Sequence, residues 1–399
     1  MDVRWFASAV LLQYVTVCSG LVTDVVPFSV TWNVPTQRCR SLFGINVDVK
    51  SFGLTENPNN GWVGPFITIV YYNFGLYPYV DSNGTIINGG IPQAVNLTAH
   101  WEKVSEDIKQ VIPDAGFTGL GVIDWEAWRP MWERNWDAKK VYQDLSLARV
   151  RTEHPDWGQK HVERAAKKQF ENAARVFMTG TLQLARKLRP RGQWGYYHFG
   201  DCYNQKGDRH CKPGEMQLND KSSSGLFPSA YFSCGNLTVN KNYAYGEVEE
   251  TYRLRNATGS KTPIYLYTRV RYRSDTGWYA KEDLVNSIGQ ALKLGINGVV
   301  IWDDNLLSKT AESCSQVKGY VDSLLGPYVR DLLNVSRVYS RHGRPSMDGK
   351  RPTTRRMVAS NWKRRVHCDV TATRKTRHLV QLGLHFWQRH IKMATSMIL

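Results

Sequence analysis

The feature that most constrains the fold is a repeated alternation of short apolar runs with longer helical patterns. The runs are continuously apolar, which is typical of strands buried on both faces of a parallel sheet. Predicted strands are residues 28–32, 45–49, 66–72, 120–123, 194–199, 227–232, 264–268 and 299–302. Predicted helices between them are residues 95–112, 137–151, 160–188, 281–294 and 310–325, the last ending at Gly326-Pro327.

This alternation predicts an α/β fold. With about seven or eight strand–helix units, a distorted (β/α) TIM-like barrel is favoured over a doubly wound sheet. No G-x-G-x-x-G follows the first strand and no Walker A motif occurs, which argues against a nucleotide-binding fold. We expect residues 21–336 to form this barrel as one domain, and the protein to be a monomer.

The two ends of the chain differ from the barrel region. Residues 1–20 carry one early Arg, a short apolar stretch and then small residues, which predicts a signal peptide rather than a membrane span. From Arg337 onward basic residues outnumber acidic ones by 13, so only +4 of the net charge of +17 belongs to the rest. We expect residues 337–399 to be a basic, irregular tail, and the uneven charge gives no reason to predict nucleic-acid binding.

Cysteines and glycosylation sequons support an oxidising compartment, so we expect a secreted or lysosomal protein without a membrane span. Sequons occur at Asn83, Asn96, Asn236, Asn256 and Asn334. After removal of a signal peptide the remaining cysteines are Cys39, Cys202, Cys211, Cys234, Cys314 and Cys368. Cys202 and Cys211 are close enough in sequence for a local loop, but the spacing alone does not fix the pairing.

Two acids follow the predicted strand at residues 120–123 directly. Asp124 and Glu126 are two residues apart, so on an extended chain their side chains share a face. Two carboxyls this close in a partly dry site repel each other as anions and tend to keep one proton. A protonated carboxyl is what cleavage of a glycosidic bond requires. The alternative is a structural strand end that pairs with Arg129 or caps the next helix.

The spacing of these acids also limits the mechanism. A conventional glycosidase places its two carboxyls on opposite sides of the scissile bond, which neighbours on one strand cannot do. The pair therefore favours substrate assistance, in which the acetamido oxygen of an N-acetylhexosamine attacks the anomeric carbon. One acid would protonate the leaving group, and the other would orient the acetamido nitrogen.

Other predicted strands end in aromatic residues that suit a sugar site. These are Tyr71, Tyr197, Tyr231 and Trp302. Taken singly, each of these residues is more often part of a core. All four, however, lie at or near the ends of predicted strands, and active-site residues of barrels lie at the carboxyl ends of strands. We predict no metal site, because H-E-x-x-H and paired C-x-x-C motifs are missing and the acidic pair Asp303-Asp304 is a weak signal.

At this point the sequence resembles the hyaluronidase family of animals and venoms (glycoside hydrolase family 56) across roughly residues 28–336. The motifs that carry the resemblance are "WNVPTQRC" (32–39), "TIVYYNFGLYPY" (68–79), "GGIPQ" (89–93), "GLGVIDWEAWRPMWERNWD" (119–137), "HPDW" (154–157), "WGYYHFGDCYN" (194–204), "LFPSAY" (226–231), "GVVIWDD" (298–304) and "ESC" (312–314).

The resemblance implies an endo-β-N-acetylhexosaminidase that hydrolyses β-1,4 linkages of hyaluronan with retention and without cofactor or metal. Chondroitin is the second candidate substrate. It implies Glu126 as acid/base and Asp124 as the residue that positions the acetamido group. It assigns the substrate-binding residues Tyr71, Arg129, Tyr197, Tyr231 and Trp302. It also implies the disulfides Cys39–Cys314 and Cys202–Cys211.

The sequence departs from the family pattern at two places. The basic tail replaces a cysteine-rich, EGF-like module, and Glu247 stands where many relatives have Arg, which would alter affinity if that position contacts the polyanion. Cys234 and Cys368 could pair or stay free. A rival function is a catalytically weak glycosaminoglycan-binding or adhesion protein on the same barrel. A third is a protein whose basic tail anchors it to a polyanion or a membrane surface.

Overall fold

The computed structural model describes residues 27–202, 211, 222–273 and 277–342 and shows an α/β architecture. The strands are β1 (Ser29–Asn33), β2 (Thr55–Glu56), β3 (Ile67–Val70), β4 (Tyr79–Val80), β5 (Ile86–Ile87), β6 (Leu120–Ile123), β7 (Gln193–Tyr196), β8 (Tyr265–Thr268) and β9 (Gly298–Trp302). The helices are α1 (Gln37–Phe43), α2 (Leu97–Val111), α3 (Lys140–Glu153), α4 (Gln159–Leu188), α5 (Leu237–Ala257), α6 (Lys281–Leu284), α7 (Gln290–Lys293), α8 (Ala311–Tyr320) and α9 (Gly326–His342). Short π turns join α6 to α7 and α8 to α9.

The long strands form two parallel sheets. Their orders are β2-β1-β9-β8 and β3-β6-β7, while β4 and β5 make a separate antiparallel hairpin. Within the second sheet, β6 lies between β3 and β7, with Val122 opposite Ile69 on one side and Gly195 on the other. Because all strands of both sheets are parallel, their carboxyl ends face the same side of the molecule, where a site can be assembled.

A segment without regular strand structure connects the two sheets. Phe227 bridges Tyr197 beside β7, and Ser229 bridges Tyr267 of β8. The prediction of a continuous strand at 227–232 is therefore wrong. Pro228 has no N–H to donate to a ladder, so the pairing is reduced to isolated bridges on either side of it.

Side chains from both sheets meet in one interior cluster, as in a barrel. The cluster contains Ile67, Ile69, Leu120, Val122, Phe227, Tyr265, Tyr267, Val300 and Trp302, all nearly or fully buried. Two further clusters lie between the strands and the surrounding helices and contain residues of both. The predicted barrel-like fold is confirmed, although its strand pairing forms two sheets.

The gap between β2 and β3 is spanned by one side chain. The buried Asn57, directly after β2, donates Nδ2 to the carbonyl oxygens of Gly61 (2.9 Å) and Ile67 (2.8 Å). Its Oδ1 accepts from the N–H groups of Phe66 (3.1 Å) and Ile67 (3.2 Å). Asn57 thus supplies hydrogen bonds at the place where the two strands do not pair.

Three further differences separate the structure from the sequence predictions. Residues 45–49 form no strand, because the alternating Val47 and Val49 pack into the core beneath helices instead of extending a sheet. Helix α5 was not predicted because it buries polar residues such as Asn240 and Glu250. The helix predicted to stop at Gly326 continues as α9, since the π turn before Pro327 accommodates a residue that cannot donate a backbone hydrogen bond.

Two disulfides are present, as the family resemblance implied. Cys39–Cys314 ties α1 to α8, and Cys202–Cys211 closes a short loop after β7. Cys234 is also disulfide-bonded, whereas Cys368 lies outside the described residues. The expected signal peptide and all of the expected tail beyond His342 lie outside them too, and α9 extends past the predicted boundary at Ser336. Among the described residues, no helix has the length and apolarity needed to cross a bilayer.

We expect Asn57→Ala to lower the free energy of unfolding by roughly 2–4 kcal/mol, because it leaves buried backbone groups without partners. The exposed Asn59→Ala is the matched control and should cost less than about 1 kcal/mol. Urea denaturation followed by Trp fluorescence measures both values. Equal stability of Asn57→Ala and the parent would contradict this role of the side chain.

Candidate active site

The acid pair lies immediately after β6. The N–H of Asp124 donates to the carbonyl oxygen of Val70 (2.8 Å), so the β6–β3 ladder continues by one residue beyond the strand. Trp125 points to the opposite side, is 6% exposed, and donates its indole N–H to the carbonyl oxygen of Tyr71 (3.1 Å). Asp124 and Glu126 are both partly exposed on the other face, as the spacing predicted.

Asp124 has an unusual environment for a carboxyl group. Its Oδ1 is buried and has no hydrogen-bond partner within the described part of the chain. Burial raises the pKa of Asp124 well above its usual range, and the negative charge of Glu126 raises it further, while Arg129 opposes the shift. The pair therefore holds a proton at pH values where an ordinary Asp is ionised.

Glu126 contacts the nearby Arg129. Its Oε1 lies 3.3 Å from Arg129 Nη2, and Arg129 Nη1 donates to the carbonyl oxygen of Glu126 (3.0 Å). The side chain of Glu126 is 24% exposed, so its carboxyl group remains accessible to a ligand. Glu126 therefore does pair with Arg129, as the alternative of a purely structural strand end required. That contact nevertheless leaves the carboxyl group exposed.

An aromatic wall lies beside the acids. The Trp302 indole N–H, at the end of β9, donates to the Tyr71 hydroxyl (3.0 Å). The Trp302 ring stacks on Tyr231 at 6.1 Å with an interplanar angle of 8°, and on Trp62 at 6.5 Å with an angle of 14°. Three predicted site residues from different parts of the chain are therefore brought together, with Trp62 as an addition that the sequence analysis missed.

Tyr197 joins this wall from the end of β7. Its hydroxyl lies 2.9 Å from Ser229 Oγ, and its ring centroid is 6.2 Å from that of Tyr231. Burial raises the pKa of both Tyr197 and Tyr231, so their hydroxyls remain protonated hydrogen-bond donors. Ser229 was not predicted, because a Ser in a predicted strand carries no distinctive signal.

Asp303 and Asp304 form ion pairs with two arginines. Arg271 Nη2 lies 2.7 Å from Asp303 Oδ1 and 3.1 Å from Asp304 Oδ1, and Arg269 also contacts Asp303. The carbonyl oxygen of Asp303 accepts the Trp62 indole N–H (3.2 Å). These acids therefore support the aromatic wall from behind. Among the described residues, no cluster of three or more His, Cys, Asp or Glu could hold a metal ion.

Glu247 does not face the site. It is fully buried and accepts the backbone N–H of Cys202 at 3.3 Å. Burial, with the nearby Asp201 charge, raises its pKa well above the ordinary value. A substitution at this position therefore acts through the loop after β7 and not through contact with a bound polymer.

The predicted glycosylation sites are all exposed. Two of them also cap helices: the Asn96 side chain accepts from the Ala99 N–H at the start of α2, and Asn236 does the same for Thr238 and Val239 at α5. In both caps Oδ1 is the acceptor, so Nδ2 is available for a glycan.

Comparison with known proteins gives a consistent set of relatives. The family described as Hyaluronidase matches residues 19–361. Hyaluronidase-1 of Sus scrofa is 38% identical over 356 residues, covering 84% of this chain and 82% of that protein. Hyaluronidase-1 of Homo sapiens is 39% identical over 338 residues, covering 80% and 78%. The crystal structure of bee venom hyaluronidase in complex with a hyaluronic acid tetramer gives a TM-score of 0.72 at 33% identity, covering 76% of this chain and 99% of that chain.

We expect Glu126→Gln to lower the pKa of Asp124, because removal of a neighbouring negative charge makes ionisation easier. Burial should still keep that pKa above the ordinary value for Asp. The measurement is a pH titration of the Asp124 carboxyl by infrared or NMR spectroscopy, with the exposed Glu102→Gln as control. An Asp124 pKa that stays unchanged or rises in Glu126→Gln would show that the two groups do not interact.

Proposed function

Because the chain belongs to the hyaluronidase family of glycoside hydrolases, we propose that it hydrolyses the β-1,4 linkages of hyaluronan with retention of configuration. The nucleophile is the acetamido oxygen of the substrate. The observation that carries this proposal is the acid pair: Asp124 and Glu126 follow one strand on one face, so they cannot lie on opposite sides of a sugar.

Each side chain of the site has a step in this reaction. Glu126 gives its proton to the glycosidic oxygen as the acetamido oxygen bonds to the anomeric carbon and the C–O bond breaks. Asp124 accepts the acetamido N–H through Oδ1, which has no hydrogen-bond partner among the described residues. Glu126 then removes a proton from water, which attacks the anomeric carbon and restores the acetamido group.

The location of the single proton changes during this cycle. In the free enzyme the pair retains it, because burial and the Glu126 charge raise the pKa of Asp124. When the acetamido N–H donates to Oδ1, the ionised form of Asp124 is favoured, and the proton is available to Glu126. Activity requires this proton, so the rate falls as pH rises beyond the value at which the pair loses it. The raised pKa extends activity further toward neutral pH than an isolated Asp would allow.

The remaining residues hold the sugar. Tyr197 and Tyr231 present protonated hydroxyls to the acetamido group, and Trp302 gives an apolar surface for its methyl. Tyr71 lines the cleft and fixes the indole of Trp302. Arg129 holds Glu126 and provides positive charge for a substrate carboxylate. Hyaluronan is the preferred substrate in this proposal because the bee venom relative was solved with a hyaluronic acid tetramer; chondroitin is the related glycosaminoglycan to compare.

We place the enzyme outside the cytosol, in a secreted or lysosomal location. Its disulfides require an oxidising compartment to form, and its sequons are exposed. The predicted signal peptide would direct it there.

Glu126→Gln should lower kcat on hyaluronan by about 10²–10⁴-fold, because the amide cannot supply the proton. Affinity for a hyaluronan tetrasaccharide should change little, since the shape of the side chain is kept. Product sizing gives the rate and calorimetry gives the affinity, with Glu102→Gln as the matched control. Parental turnover by Glu126→Gln would exclude it as the acid, whereas a parent that binds but does not cleave would favour a binding protein.

The capped sequon at Asn96 offers a test of the glycoprotein assignment. Thr98→Ala removes the sequon and keeps the helix cap, so secreted protein should lose one glycan without loss of stability. Asn96→Gln removes both, and its free energy of unfolding should fall by about 1 kcal/mol. Mass spectrometry and thermal unfolding measure the two effects. An unchanged mass for both variants would show that Asn96 carries no glycan.

A further inference from the structure

The segment that follows the acid pair folds back on it. Asn135 is fully buried, accepts the Arg129 N–H through Oδ1 (2.8 Å), and donates Nδ2 to the carbonyl oxygens of Arg129 (2.8 Å) and Met131 (3.0 Å). Two residues later, Asp137 has a positive φ of 53°, a conformation that Asp tolerates better than most residues. This turn directs the chain so that Lys139 returns toward Glu126.

Lys139 contacts the backbone of the acid itself. Its Nζ donates to the carbonyl oxygen of Glu126 and to that of Ala127 (3.0 Å). The Glu126 carbonyl also accepts Arg129 Nη1, so two cations hold the same peptide group. Glu126 lies beyond the end of β6, where no strand ladder fixes its backbone, and these contacts take over that function.

We propose that Lys139 is a positioning residue for the reaction, and that it holds the Glu126–Ala127 backbone so that the acid reaches the glycosidic oxygen. This inference rests on the proposed function, because it concerns the acid of that mechanism. Its hydrogen bonds to the carbonyl oxygens of Glu126 and Ala127 act on the acid through the backbone. A small displacement of a catalytic group is enough to lower the rate strongly, while substrate binding depends mainly on the aromatic wall.

The electrostatic environment agrees with a residue fixed near the site. Burial and the like charge of Arg129 lower the pKa of Lys139 to about 7, and the Glu126 charge acts in the opposite direction. A lysine placed only for solubility would remain in water and keep its ordinary pKa. Its neighbour Lys140 begins α3 and is exposed, which makes it a matched control on the adjacent residue.

The test compares Lys139→Met, Lys139→Gln and Lys140→Met by steady-state cleavage of hyaluronan, with rates expressed per molecule that binds a hyaluronan tetrasaccharide. Met fills the space without a donor, whereas Gln keeps a donor but reaches less far. We expect Lys139→Met to lose at least tenfold in kcat with KM within threefold of the parent. Lys139→Gln should lose less, and Lys140→Met should match the parent.

Several outcomes would overturn the proposal: kcat of Lys139→Met within twofold of the parent, a loss confined to KM, or Lys139→Gln no better than Lys139→Met. If Lys139→Met does not fold, Lys139→Gln is the variant that tests the proposal. We then expect its kcat to fall threefold or more, and a parental kcat would contradict the positioning role. Failure of the proposed function is distinguishable, because then the parent and Lys140→Met would also not cleave hyaluronan.

Discussion

The chemistry depends on two carboxyl groups that share one face after β6 and hold one proton between them. Burial of Asp124 beside the charge of Glu126 makes double ionisation unfavourable. The β6–β3 ladder fixes Asp124, and Trp125 locks the intervening residue into the core. In the proposed reaction both acids lie on the same side of the sugar, so the substrate must supply the nucleophile. The requirement for an N-acetylated sugar follows from this placement.

In the proposed function, the rest of the barrel holds the sugar against that pair. Trp302 connects the two sheets, because it ends β9 and bonds to Tyr71, which follows β3. Arginines paired with Asp303 and Asp304 support this wall from behind. Asn57 supplies hydrogen bonds where the strands fail to pair, and the Cys39–Cys314 disulfide ties helices from the two ends of the described chain. Precision at the site therefore comes from contacts spread over the whole fold.

Local pattern was enough to predict β6 and its acids, because a continuous apolar run indicates burial and a spacing of two indicates a shared face. It could not predict Trp62, whose indole bonds to a carbonyl 241 residues away, or the arginines behind Trp302. The apolar run at residues 227–232 predicts a strand, but Pro228 interrupts the hydrogen-bond ladder and leaves only isolated bridges. Helix α5 was not predicted, because tertiary contacts bury polar side chains that do not follow an apolar helical pattern. Asn236, which caps its first turn, is the one residue of the sequence that indicated the start of this helix.

The claim that the substrate provides the nucleophile is tested most directly by changing the N-acyl group of hyaluronan. Fluorine substitution of the acetyl methyl withdraws electrons from the acetamido oxygen and weakens it as a nucleophile. The account predicts that kcat falls progressively from acetyl through monofluoro- and difluoroacetyl to trifluoroacetyl, while the oligosaccharides still bind. A kcat that stays constant across this series would contradict substrate assistance and require a nucleophile from the protein.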